Sequence, residues 1–419
     1  MHMQGGIAMR VTHIRAWSKR IHAAVAVSVF LTLGLFTTSV QAGAMIQLYH
    51  RPGDPHWDWT WKNAQKRLGK IKAAGFTAIL ISPHQSSCGG EFSVGYDPYD
   101  LRNFNSAHGT EAELASLIQK THQQGIQIYA DLVLNHMCGN NFKYPRFSAR
   151  DFHHAGGIQN WGDQWQLENG SMFGLEDLAQ EVPYVRGELW NFLVKSNNMG
   201  FDGYRLDAVK HVPKWYWRDH VVNNFNQWGK FSFGEVYDGN VAYLQGYADV
   251  GMSVTDYSLY FLMKDTFKFG GNLAQLDGAG LAGTNGPKAV TFIENHDVGP
   301  PENRLLAQAF IAAYPGYPLF FNVSLDDPII INLLWVQNNL AKGAYINRYK
   351  DHQTLIFERD HSLLAGINQY GEWVSKWVPT TWKNTKLHDY TGHVNDATTN
   401  GDGYVELWIP PMSYVMLAP

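Results

Sequence analysis

The chain has 419 residues, 45% of them hydrophobic and 17% charged, which is enough apolar material for one large domain with smaller ones attached and excludes a disordered chain. A formal net charge of −4 offers no basic surface and removes nucleic acid from the expected partners. The 15 Trp, 21 Tyr and 22 Phe supply many flat rings, suited both to a core and to stacking on sugars.

The N-terminal stretch carries Arg10, Arg15, Lys19 and Arg20, then an uncharged apolar run over 23–36, then Ser39-Val40-Gln41-Ala42. The run is short for a membrane span of about 20 residues, and small residues stand where a signal peptidase cuts. This predicts a signal peptide over 1–42, cleaved after Ala42, and a secreted product (extracellular or periplasmic) with no membrane attachment. An even pair of cysteines, Cys88 and Cys138, invites a disulfide in such a product.

Beyond residue 43 a strand–helix rhythm begins. Residues 44–50 are strand-like, and 59–74 form an amphipathic helix stopped at Gly75. The run 76–82 is continuously apolar, as a buried parallel strand requires. Thr110 and Glu113 mark a capping box opening a helix over 110–124, and 126–134 is again a strand. Helices over 182–199, 213–228, 259–269, 302–313 and 328–340 alternate with strands over 201–207, 231–236, 252–257, 289–294 and 317–322. Eight such units predict a (β/α)8 barrel, with a doubly wound open sheet as the alternative. Residues 137–180, rich in Asn, Gly, His, Phe and Trp, break the rhythm as an irregular insertion after the third strand. Short alternating runs over 355–358, 363–368, 373–377 and 404–409 predict a C-terminal antiparallel β domain over 343–419. The barrel is thus expected in two parts, 43–136 and 181–342.

The fourth strand runs Tyr204-Arg205-Leu206-Asp207, and a period of two puts Arg205 and Asp207 on one face. A cation beside a carboxylate keeps it ionised and aimed, as a carboxylate nucleophile needs, although the pair alone is equally an ordinary ion pair. In a barrel the chemistry sits at the C-terminal strand ends. There the third strand ends in Asn135-His136, the fourth in Asp207, the fifth in Glu235 and the seventh in Glu294-Asn295-His296-Asp297. Three carboxylates converging on one mouth meet the requirement of glycoside hydrolysis. The loops after the second and third strands are neighbours in a barrel, which brings Cys88 towards Cys138.

The segments DLVLNH, GYRLDAVKH, GEVY and FIENHD, in that order, resemble the four signature regions of the α-amylase family of glycoside hydrolases. Gly174-Leu175-Glu176-Asp177-Leu178-Ala179 is similar to an additional motif near the end of the family's B domain, and Gly95-Tyr96-Asp97-Pro98-Tyr99-Asp100 to its loop after the second strand. The resemblance extends over residues 44–419. It implies Asp207 as nucleophile, Glu235 as general acid and base, and Asp297 as the carboxylate that stabilises the transition state. It further implies Arg205 holding Asp207 ionised, His136 and His296 bonding sugar hydroxyls, and Tyr96 stacking on the sugar ring. Lys210 and His211 resemble a pair typical of starch-degrading members, with Lys210 on the leaving-group side, so an α-glucan polymer or malto-oligosaccharide is the implied substrate. The resemblance also implies a structural Ca2+ held by Asn135, Asp177 and the His211 backbone oxygen, with a further backbone oxygen from near Glu168. A transglycosylase or an exo-acting maltooligosaccharide-forming enzyme of the same family and, remotely, a non-catalytic glucan-binding protein stay open. A monomer is expected.

Overall fold

The computed structural model describes residues 43–139 and 143–419; the expected signal peptide lies outside them. Eight parallel strands close a barrel: β1 Met45–Leu48, β2 Ala78–Ile81, β3 Gln127–Leu132, β4 Gly203–Leu206, β5 Phe231–Gly234, β6 Ser253–Thr255, β7 Ala289–Thr291 and β8 Tyr317–Phe320. The sheet is not doubly wound, because β1 pairs with both β2 and β8, Met45 standing opposite Leu319 at the seam.

Local chemistry sets the punctuation. Gly75 at φ 104° ends helix Trp61–Ala74, a left-handed position that glycine enters without penalty. Thr110 and Glu113 form both halves of the capping box on helix Glu111–Gln123. At Gly203 a Cβ would stand 2.6 Å from the Phe231 carbonyl oxygen and 2.8 Å from the Tyr129 ring, so β4 can lie in the barrel only with hydrogen there. One face of the strands fills the barrel with Met45, Leu80, Tyr129, Phe233, Val290 and Leu319, while the outer face packs on the helices.

Three expectations are corrected. The helix predicted over 213–228 is interrupted by a π-helical turn at Trp217–Val222. Tyr257 does not end β6; it opens helix Tyr257–Thr266, capped by the Asp256 side chain on Leu259 N–H. Helix Val241–Ala248, capped by Asn240, joins β5 to β6 where no helix was expected.

Between β3 and helix Pro183–Met199 the chain makes a long excursion. Its base is an antiparallel ribbon of His136–Gly139 with Leu175–Asp177, in which His136 faces Asp177. A disulfide joins Cys138 on this ribbon to Cys88 in the loop after β2, with Cα atoms 6.3 Å apart.

The C-terminal strands are β9 Tyr345–Lys350, β10 Thr354–Arg359, β11 Leu363–Asn368, β12 Val374–Pro379, β13 Lys386–Asp389, β14 Ala397–Thr398, β15 Tyr404–Ile409 and β16 Ser413–Ala418. They form a six-stranded sheet in the order β9-β10-β11-β16-β13-β14 and a ribbon of β12 with β15. Leu355, Phe357, Leu363, Ala365, Ile367, Tyr414 and Met416 join the barrel's core, whereas Ile356, Leu364, Val415 and Leu417 join a second core with Val405, Leu407 and Ile409. Among the described residues no helix is long and apolar enough to cross a membrane.

Candidate active site

The strand ends β3, β4, β5 and β7 deliver their polar residues to one mouth. At its centre lies Arg205, buried at 3% exposure. Its Nη1 meets Asp131 Oδ2 at 2.6 Å and Asp207 Oδ1 at 3.0 Å, and its Nη2 meets Glu235 Oε2 at 3.2 Å. Period-two placement on β4 and the parallel pairing of Asp131 with Arg205 make this possible. Beyond Asp207 the backbone turns left-handed at Ala208, φ 50°. That turn aims the Ala208 N–H at Glu235 Oε2, 3.1 Å away. Tyr257 Oη donates to Glu235 Oε1 at 3.4 Å and itself accepts from Asn295 Nδ2 at 3.1 Å.

Asp297 stands at the rim, its side chain 46% exposed, 3.2 Å from His296 Nε2. Gln47 Nε2 donates to His296 Nδ1 at 2.8 Å, so the imidazole proton sits on Nε2 and points at Asp297. Burial holds His296 well below the ordinary histidine range, hence neutral. The Tyr96 ring stacks on His296 with centroids 4.8 Å apart, and Tyr49 stacks on it at 5.1 Å. Tyr96 Oη donates to Asp131 Oδ2 at 2.8 Å, so this tyrosine braces the carboxyl cluster with its hydroxyl and a histidine with its ring.

One guanidinium faces three carboxyl groups, with a fourth at the rim. Burial pushes Asp131 and Asp297 up to about 6; Glu235 adds to both and Arg205 opposes. Burial raises Asp207 as well, against the pull of Arg205. Protons lost here belong to the cluster rather than to single residues.

Behind the mouth, the base of the excursion meets the barrel. Burial holds His136 down at about 4, so it is neutral. His136 Nε2 donates to the Tyr96 carbonyl at 3.0 Å, which leaves Nδ1 as acceptor. The Asn135 amide nitrogen therefore turns to His136 Nδ1, 3.2 Å away. Its oxygen then faces the His211 carbonyl oxygen at 2.9 Å and Asp177 Oδ1 at 3.1 Å. With the amide turned the other way its N–H donates to both; with its oxygen inward the three oxygens form a set that suits a hard cation. Asp177 Oδ2 meets His153 Nδ1 at 2.6 Å, fixing the carboxylate. Glu168 stands apart: its carboxylate accepts from Gln164 Nε2 at 2.7 Å, and it is Leu167 whose carbonyl accepts from His211 Nδ1 at 3.1 Å. The His211 ring thus lies buried at the excursion–barrel seam and not at the Arg205 cluster. Among the described residues no three His, Cys, Asp or Glu gather as a metal cluster, so any ion here would lean on amide and backbone oxygens.

Lys210 Nζ donates to the Tyr237 carbonyl at 2.9 Å beside Glu235. Glu294 takes no part in the mouth, because Arg304 binds its Oε1 at 2.5 Å. The sequence did not single out Asp131, Gln47, Tyr49, Tyr257 or Asn295. Asp131, a charged residue in the middle of an apolar strand, carried a signal that could have found it.

The strand ends of a closed barrel thus gather Asp131, Asp207, Glu235 and Asp297 around a buried arginine. Residues 52–277 match the family described as "Alpha amylase, catalytic domain", and residues 363–417 match "Alpha-amylase C-terminal". The chain belongs to the alpha-amylase family. It is 32% identical to a Saccharomycopsis fibuligera alpha-amylase over 384 residues, 82% of this chain and 75% of that one. It is 35% identical to a Paenibacillus polymyxa "Beta/alpha-amylase" over 250 residues, 55% of this chain and 20% of that protein, so it spans only a fifth of the latter's length. A crystal structure of an alpha-amylase from Geobacillus thermoleovorans complexed with acarbose shares the fold, with TM-score 0.76, 24% identity and coverage of 90% and 97%.

Proposed function

We propose that the chain is a retaining α-amylase that hydrolyses internal α-1,4 bonds of starch, glycogen or related malto-oligosaccharides. The observation that carries this is Arg205 bridging Asp207 and Glu235 through its two Nη atoms. One guanidinium holds the carboxyls side by side, in keeping with the separation of about 5 Å that a double displacement uses.

In this mechanism Asp207 attacks the anomeric carbon, while Glu235 gives its proton to the departing oxygen. Glu235 then takes a proton from water, which releases the sugar from Asp207. Asp297 opposes the positive charge that develops on the ring, with the neutral His296 N–H holding it in place. His136 and His296, expected to bond sugar hydroxyls, each have both ring nitrogens engaged by the protein, so they hold the Tyr96 backbone and Asp297 in place, and Lys210 faces the leaving-group side. The endo-acting choice rests on the resemblance of the Lys210-His211 pair to starch-degrading members.

The oxygen cluster of Asn135, Asp177 and His211 fits a bound Ca2+, which would supply charge and cross-linking between excursion and barrel rather than chemistry. Secretion accords with the disulfide and with the expected signal peptide.

The test is release of reducing ends from soluble starch, with product sizes, by the chain and by Asp207→Asn. Hydrolysis to mixed short oligosaccharides, lost by about 10⁴-fold in the variant, is expected. Activity surviving in Asp207→Asn would sink the mechanism, and products longer than the substrate would make the enzyme a transglycosylase.

A further inference from the structure

The C-terminal ribbon carries three tryptophans that no step above uses. Antiparallel pairing sets Ser375 opposite Trp408, Trp377 opposite Glu406 and Pro379 opposite Tyr404. Directly opposed residues share a face, and alternation adds Trp373 to the same face. The other face, with Val378, Val405, Leu407 and Ile409, is buried in the C-terminal core. The outward rings are freely exposed: Trp373 53%, Trp377 61% and Trp408 48%. They line a groove of about 590 Å³ whose other wall is the segment 392–398. Trp373 and Trp377 stand about 13 Å apart along the strand, with Trp408 opposite the residue midway between them.

An isolated exposed tryptophan needs no explanation, but three on one face of one ribbon do. The polar groups among them narrow the occupant. Glu406 sits between the rings, its Oε1 accepting from Ser375 Oγ at 3.0 Å. Asn395 and Asp396 line the facing wall. Protein–protein interface cores are depleted in charged residues, so a carboxylate among the rings disfavours a second protein. Glu406, whose carboxylate bonds only Ser375 Oγ among the described residues, also repels an anionic polymer, whereas Asp396 on the facing wall is paired with Lys386 and His388, each at 2.7 Å. A neutral chain of sugars satisfies both features. Its C–H faces cover the rings, and its hydroxyls donate to carboxylate and amide oxygens that stay solvated. No residue of the Arg205 mouth lines the groove.

We infer that the face of Trp373, Trp377 and Trp408 is a second, non-catalytic site for an α-glucan chain, holding polymer while the mouth cleaves. The choice of α-glucan rests on the proposed activity. Its test uses Trp377→Ala, Trp408→Ala, their double variant and Trp377→Phe in the full chain. Adsorption to insoluble granular starch is measured beside kcat/KM on soluble maltoheptaose and the thermal melt. The double variant should bind granules about thirtyfold more weakly, since each of the two aromatic contacts removed is worth about 1 kcal/mol. Its kcat/KM on maltoheptaose should stay within about twofold and its melt unchanged, with Trp377→Phe restoring most of the adsorption. Wild-type adsorption in the double variant overturns the inference. So does a wild-type dimer in sedimentation that the double variant dissolves, which would give the face to a second copy. Loss of granule binding in a chain that never cleaves maltoheptaose would leave the groove standing and the catalytic proposal fallen.

Discussion

Arg205 brings one positive charge to Asp131, Asp207 and Glu235, and Asp297 adds a fourth carboxyl nearby. Asp131 and Asp297 are pushed up to about 6, first by burial, whereas an unfolded carboxyl titrates near about 4. Between those values the folded chain keeps protons that the unfolded chain has lost. The stability these two groups give is therefore full at low pH and lost as pH rises through that window. In the proposed mechanism catalysis runs the other way, because Asp297 must be ionised to oppose the ring's positive charge. A pH–rate profile on malto-oligosaccharide should show an acidic limb near about 6, belonging to the cluster. A limb near 4 would show that burial does not govern the site. Tyr96 Oη favours the ionised form of Asp131, so Tyr96→Phe should move that limb to higher pH and lower kcat. The acids and histidines were legible in the sequence because each sits in a motif at a strand end. Gln47 and Tyr49 were not, because they reach His296 only across the β1–β8 seam, a contact between residues 249 apart for Gln47. His211 was legible as a residue but not in direction: its ring turns to Leu167, a partner contributed by the excursion.

At the scale of elements, the excursion is tied down by a covalent bond and, in the proposed reading, by an ion held at a cluster of oxygens. The Cys88–Cys138 bridge spans 50 residues, a loop whose closure entropy corresponds to about 4 kcal/mol. Cys88→Ser with Cys138→Ser should lower stability by up to that amount in denaturant unfolding, and equal midpoints would show that the bridge is idle. An excess of a calcium chelator should lower both the melting temperature and the activity, with Asn135→Ala insensitive to it; an unmoved melt would remove the ion from the proposal. The barrel strands were legible because they are short runs set between helices closed by glycine or a cap, with β2 wholly apolar and β1 and β8 nearly so. Helix Val241–Ala248 escaped because its less buried first turn, Val241, Ala242 and Tyr243, is as apolar as the buried Leu244, Tyr247 and Ala248, which leaves little contrast between the faces to read. β9 escaped for a related reason: Tyr345–Lys350 is half-buried on both faces, so it shows no alternation.

On the scale of the molecule, the six-stranded sheet is a wall shared by two cores. Alternate residues of β10 point opposite ways, Leu355 and Phe357 into the barrel's core and Ile356 into the C-terminal one. Buried Arg359 adds a bond from Nη1 to the Ala313 carbonyl at 3.0 Å. Barrel and C-terminal sheet should therefore melt in one calorimetric transition. Phe357→Ala, costing about 3–5 kcal/mol, should move that transition whole; two separated transitions would show independent domains. The seam of the barrel carries a further consequence, for the order in which the molecule is made. β1 can reach β2 early in synthesis, but its other neighbour is β8, with Ile46 opposite Phe320. Until residue 320 is available the barrel has two open edges, and no partial product can close it. The bridge between Cys88 and Cys138, by contrast, needs only the first third of the chain. If the protein is secreted as proposed, a translocation channel delivering it N-terminus first into an oxidising compartment would release a chain already stapled yet still unfolded. Any cell that makes it must shield those edges until the last strand arrives.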